Sequence, residues 1–162
     1  MDIYTVSFFG HRCIEQAADI EVRLNKLLSD ILAQKEYVSF LMCRDGDFDL
    51  LAASAVRRSV SACGHGSTHF TLVLPYMNEE YRENIQSYLE YYDEVEICGK
   101  SFKAHPRSAK QIRNRYLVDR SDLIICCIQH KSGRAYSTVH YAEKQHKAVI
   151  NLAGKDLIQP QE

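Results

Sequence analysis

Proline and glycine are scarce. Three prolines and seven glycines in 162 residues argue against a long disordered linker. No apolar run is long enough to span a bilayer, so no membrane partner is expected. Residues 1–12 carry no basic segment followed by a long apolar stretch, so no secretory signal is read there. An excess of one charge is missing too. A net charge of -1 weighs against bulk attraction to nucleic acid, while leaving room for a local basic site. There is no C-x-x-C pair, no G-x-G-x-x-G, no H-E-x-x-H and no nucleophile elbow. The six cysteines (Cys13, Cys43, Cys63, Cys98, Cys126 and Cys127) include several inside apolar runs, where a thiol behaves as a small core residue. Together these features predict a reduced, cytoplasmic protein without structural disulfides.

What is present is an alternation of two periodicities. Short β-branched or apolar runs at 3–9, 38–42, 70–74, 95–98, 123–128 and 148–152 read as strands. Between them, apolar residues recur at helical spacing. Ala17, Ile20, Leu24, Leu27 and Ile31 form one such set, Phe48, Leu51, Ala52, Ala55 and Val56 a second, and Tyr81, Ile85, Tyr88 and Tyr92 a third. Further helices are expected over 109–120 and 136–145. The run at 123–128 has no polar alternation, as in a central strand covered on both sides. Strict alternation implies right-handed crossovers. The expected fold is α/β: a Rossmann-like, doubly wound, mainly parallel sheet of about six strands with helices on both faces. Residues 1–154 should form one domain, and 155–162 a polar tail.

Open sheets of this kind bind ligands beyond the carboxyl ends of their strands, at the point where strand order reverses. Four loops therefore carry the candidates. Gly10, His11 and Arg12 follow the first strand, where glycine permits close backbone approach and a following helix start offers free N–H groups. Asp45, Gly46, Asp47 and Asp49 follow the second. Their spacing is that of the start of a calcium loop, but Val56 stands where an EF-hand needs an acid. One aspartate, Asp47, is expected to cap the next helix, and another to meet a ribose hydroxyl or a base. The third loop is basic: Lys100, Lys103, Arg107, Lys110, Arg113, Arg115 and Arg120. Lys100, Lys103 and Lys110 read as a solvated face. Arg113 and Arg115, two residues apart, cannot share a helix face. The fourth, with Ser132, Gly133, Ser137 and Thr138, has the amides, hydroxyls and helix dipole that suit a phosphate. Pairings such as His11 with Cys13, or Cys63-Gly64-His65, match no zinc spacing, and no metal is predicted. Tyr88, Tyr91 and Tyr92 read as helix packing.

Four segments resemble the SLOG superfamily, the Rossmann-like group that includes Smf/DprA and the lonely-guy phosphoribohydrolases. They are TVSFFGHR (5–12), DGDFDLLAA (45–53), RNRYLVDRSDLIICCI (113–128) and SGRAYSTVHYAEKQHKAVI (132–150). The first two are most similar to the small bacterial YpsA-like branch. The resemblance implies binding of nucleotides or their derivatives, and by analogy a homo-oligomer. It places Arg113 at the spacing of an arginine that assists catalysis in the phosphoribohydrolases. The glutamate those enzymes carry is replaced here by the run Val139, His140, Tyr141, and Glu143 lies a turn too far on.

The preferred expectation is a binding or sensing module for a nucleotide-like small molecule, without a cofactor. Its phosphate cradle would draw on Gly10, His11, Arg12, Asp45, Gly46, Asp47, Arg113, Ser132, Gly133, Ser137 and Thr138. The alternative is an N-glycosidic-bond hydrolase or transferase with Asp47, Asp49 and Arg113 as catalytic candidates. Single-stranded DNA binding is the third reading. Replacing Arg113 is expected to abolish binding and leave the fold intact.

Overall fold

The computed structural model describes residues 2–63 and 67–154. The expected tail at 155–162, and Gly64 and His65 of the Cys63-Gly64-His65 pairing, lie outside the described residues. The strands are β1 (Ile3–Gly10), β2 (Tyr37–Met42), β3 (Thr68–Leu74), β4 (Glu94–Ile97), β5 (Leu123–Cys127) and β6 (Ala148–Asn151). The helices are α1 (Ala17–Gln34), α2 (Asp47–Cys63), α3 (Glu79–Glu83), α4 (Ile85–Tyr91), α5 (Pro106–Arg120) and α6 (Gly133–Lys144).

The six strands form one sheet in the order β4-β3-β2-β1-β5-β6, and every pairing is parallel. The chain walks outward from β1 to β4, then returns through α5 to lay β5 against the free side of β1. Strand order reverses between β1 and β5, where Gly10 pairs with Cys127. With crossovers of one hand, reversing direction moves the connecting helices to the opposite face. Accordingly α1 and α2 cover one face with Val6, Phe8, Phe40 and Ile125. Helices α5 and α6 cover the other with Phe9, Leu41, Ile124 and Cys126. The period-2 split of β5 and the residue after it into Leu123, Ile125, Cys127 and Ile124, Cys126, Ile128 explains the unbroken apolar run. On α1, Leu24 and Leu28 are fully buried, each contributing about 1.5–3 kcal/mol.

The helix expected over 81–92 is two. Asn84 ends α3 by donating its side-chain Nδ2 to the Glu80 carbonyl at 2.8 Å, a local bond that competes with helix continuation. Asn78 caps α3 by accepting from the Tyr81 amide at 2.8 Å. The tyrosines here are packing residues: Tyr92 lies 5.0 Å from Phe70, and Tyr81 5.2 Å from Tyr88, centroid to centroid.

Two glycines are fixed by sterics. Gly10 continues the alternation of Val6 and Phe8 toward the α2 face, where a Cβ would meet the Phe48 side chain at 2.4 Å. At Gly46 a Cβ would meet the Arg12 Cα at 2.4 Å, a backbone contact with no flexible partner to yield. The same approach lets the Asp47 amide donate to the Arg12 carbonyl at 2.8 Å. Gly46→Ala should therefore destabilise the fold by about 1–3 kcal/mol, read as a lowered urea midpoint. An unchanged midpoint would show that the two loops are not in contact.

Candidate functional site

The ends of β1, β2 and β5 open into a cleft of about 600 Å³. Gly10, His11, Arg12 and Cys13 line it from the β1 loop, and Cys43, Arg44, Asp45 and Asp49 from the β2–α2 connection. Lys110 and Asn114 line it from α5, and His130, Gly133, Arg134 and Ala135 from the start of α6. Gly10 and Gly133, from loops 123 positions apart, thus share one cavity at the reversal point, where the general rule places a ligand.

Not every expected residue faces this space. Asp47 is exposed and outside the lining. Its own amide donates to the Arg12 carbonyl at 2.8 Å, while Asp49 accepts from the Asp45 amide, ahead of the helix, at 2.8 Å. Ser137 is exposed on α6 and also outside the lining. Thr138 is buried and spent internally. Its Oγ1 accepts from Asn114 Nδ2 at 3.1 Å and Gln111 Nε2 at 3.2 Å, and donates to the Arg134 carbonyl at 2.9 Å. Glu143 is exposed and outside the lining as well. The first loop also departs from expectation: six residues separate β1 from α1, and the start of α1 does not line the cleft.

Arg113 is the largest fully buried side chain and lies behind the cleft wall. Its guanidinium pairs with Asp45, and donates to Asn114 Oδ1 at 3.1 Å and the Val73 carbonyl at 3.3 Å. Arg115 is exposed, its guanidinium 5.1 Å from the Tyr141 ring, so the two arginines do part company as their spacing requires. Lys110, expected on a solvated face, instead reaches Asp45 Oδ1 at 3.5 Å. Removing Arg113 would strip a quarter-exposed carboxylate of its main partner. Arg113→Ala should cost about 3 kcal/mol, visible in the urea midpoint of the ligand-free protein, contrary to the expectation of an intact fold. A midpoint within error of wild type would remove this structural role.

Sequence reasoning missed His130, Lys110, Asn114, Arg44, Arg134 and the two cysteines of the lining. His130 was reachable, because it follows the strand flanking the reversal point. The others needed knowledge of which helix face turns inward. His130 stacks on His11 with centroids 3.6 Å apart and planes 11° from parallel. The His130 amide donates to His11 Nε2 at 3.3 Å, and His130 Nδ1 meets Ser132 Oγ at 3.0 Å.

Two titrations are displaced in opposite senses. Burial, with Asp45 beside it, raises the Asp49 carboxyl to about 7, against the pull of the Asp45 amide, Arg113 and Lys110. Burial and His130 lower His11 to about 4. Burial also raises the Cys43 thiol, making it an inert lining group. Asp49 holds its proton more tightly folded than unfolded, so it withdraws stability as pH rises from about 4 to about 7. His11 holds its proton less tightly folded, so it withdraws stability as pH falls from about 6.5 to about 4. Between about 4 and 6.5 the two oppose each other. Asp49→Asn keeps an oxygen for the Asp45 amide and should leave stability rising with pH across that window. Urea midpoints measured at several pH values test this; parallel curves for variant and wild type would refute the Asp49 shift.

Comparison with solved structures identifies the architecture. The fold is that of the DprA proteins. DNA processing protein A from Streptococcus pneumoniae aligns with a TM-score of 0.61 and 14% identity, over 91% of this chain and 49% of that one. The Helicobacter pylori protein, described with a single-stranded DNA binding mode, aligns at 0.61 and 13%, over 90% and 63%. The chain therefore spans about half of one of these DprA chains and less than two thirds of the other, and the likeness is one of fold. No protein-family model matches the sequence, and neither does any curated protein.

Proposed function

We propose that the cleft binds a phosphate-bearing, nucleotide-like small molecule, and that the protein is a binding or sensing module of the SLOG type, nearest the YpsA-like branch. The observation carrying this reading is the convergence of Gly10 and the start of α6 on one cleft at the strand-order reversal. Gly133, at φ 92°, opens α6 with nothing within 4 Å of its missing side chain. The first-turn amides of a helix have no intrahelical acceptor and point a positive dipole end outward. Ser132 makes no capping bond to them. Four cationic side chains, Arg12, Arg44, Lys110 and Arg134, face two carboxylates. Asp45 is already paired with Arg113 and Lys110, and Asp49 is partly neutral near pH 7. Arg12 and Arg134 form no ion pair among the described residues. The balance favours an anion.

A thermal-shift screen against nucleotides, nucleotide sugars and ADP-ribose-like compounds tests the proposal. A ligand at 100 times its Kd adds about 2.7 kcal/mol, which moves Tm by several degrees. Combining Arg12→Ala with Arg134→Ala should weaken binding at least tenfold, on the order of 1.4 kcal/mol, and leave the apo urea midpoint unchanged. No shift with any compound at millimolar concentration would remove the reading.

Asp49 favours a second reading, cleavage of an N-glycosidic bond. A carboxyl in the lining with a proton near neutrality is suited to general acid work. Asp49→Asn would then abolish turnover and spare binding; a wild type that consumes no nucleotide or nucleoside ends that idea. The H. pylori DprA likeness favours a third, single-stranded DNA, for which affinity should fall steeply with salt.

A further inference from the structure

Ser132 occupies the position from which a serine ordinarily caps a helix. Its backbone is extended, at φ -156° and ψ 164°, and serine is among the residues preferred there because its oxygen accepts from the second or third amide of the helix. Yet the hydroxyl makes no such bond. It is turned instead to His130 Nδ1, at 3.0 Å. His130 is itself held twice. Its ring lies on the buried His11 imidazole, and its amide donates to His11 Nε2, tying the end of β5 to the end of β1. The result is a serine one rotation away from filling the amide cluster that faces the cleft.

We infer that His130 is a positioning residue that holds Ser132 off the start of α6 and so keeps the first-turn amides open toward the cleft. Two states of one side chain compete. With the hydroxyl on His130, the amides of Arg134 and Ala135 are open to an incoming oxyanion. With the hydroxyl rotated onto those amides, the protein fills its own cradle. The stacked pair biases the first state. The consequence for ligand binding rests on the proposal above that this cleft takes a phosphate; the side-chain state itself does not.

The test has a ligand-free arm and a phosphate arm, with wild type, His130→Phe, Ser132→Ala and the double variant. Phenylalanine keeps a ring over His11 and the donating amide, but loses the Ser132 anchor. In the absence of ligand, amide hydrogen exchange of Arg134 and Ala135 should slow about fivefold in His130→Phe, the protection a serine cap supplies. It should return to the wild-type rate in the double variant. Ser132→Ala alone should leave Tm within about 1 °C, whereas loss of a working cap lowers it by about 2–4 °C. In the second arm, affinity for inorganic phosphate should drop about fivefold in His130→Phe and recover in the double variant. Equal exchange in wild type and His130→Phe, a destabilised Ser132→Ala, or no recovery in the double variant overturns the inference. If wild type binds no phosphate but the exchange pattern holds, the positioning role stands and the ligand reading falls.

Discussion

The pairing of the Arg113 guanidinium with Asp45 anchors the whole cleft edge of the sheet. An arginine buried to this degree is tolerated only when its donors are met, and three structural units meet them: the β2–α2 connection through Asp45, β3 through the Val73 carbonyl, and α5 through Asn114. From Asn114 the chain of bonds continues to Thr138 and then to the Arg134 carbonyl in the first turn of α6. One side chain thereby relates the carboxylate wall of the cleft to the helix start that forms its floor. The polar groups are satisfied, with no buried side-chain nitrogen or oxygen among the described residues left without a partner. Such a fully bonded network gives a rigid wall rather than an adaptable one.

Rigidity on that side contrasts with the other wall. The β1 loop is positioned by the close pass of Gly46 beneath Arg12 and by Gln129, which exchanges hydrogen bonds with the Glu15 amide and carbonyl at 2.8 and 2.7 Å. Arg12 and Cys13 themselves are exposed. The cleft thus has one side fixed by the Arg113 network, carrying both carboxylates and three of the four cations, and a more open side at Arg12 and Cys13.

Much of the fold was legible because period and burial are local properties. The run Leu123 to Cys127, the helical spacing on α1 and the basic stretch leading into α5 all read directly as elements, and their strict alternation dictated a parallel sheet. The site was legible only as far as topology reaches. Gly10, His11, Arg12, Asp45, Asp49 and Gly133 lie in the loops or first helical turns just beyond the carboxyl ends of β1, β2 and β5, and they do line the cleft. Arg113, Thr138 and Lys110 lie on helices, where one residue's rotation decides between interior and cavity. Sequence spacing separated Arg113 from Arg115 but not inside from outside. The place of Asp47 was illegible for a related reason. A carboxylate at a helix start can cap it, but the Arg12 carbonyl from another loop already takes the Asp47 amide, a contact that only the three-dimensional path of the β1 loop reveals. Asn84 broke a helix that apolar periodicity alone would have continued, because a side-chain amide can satisfy a carbonyl that the next turn needs.

The distribution of sulfur has a practical corollary. Cys13 is an exposed thiol on the rim, whereas Cys43, Cys98, Cys126 and Cys127 are buried. Burial raises the thiol of Cys126 to about 12 and that of Cys127 to about 11. A thiolate is the reacting species in alkylation, so the Cys126 and Cys127 sulfurs are chemically silent at neutral pH. An environment-sensitive fluorophore on Cys13 would sit at the mouth of the cavity, and its emission would report occupancy without any engineered attachment point.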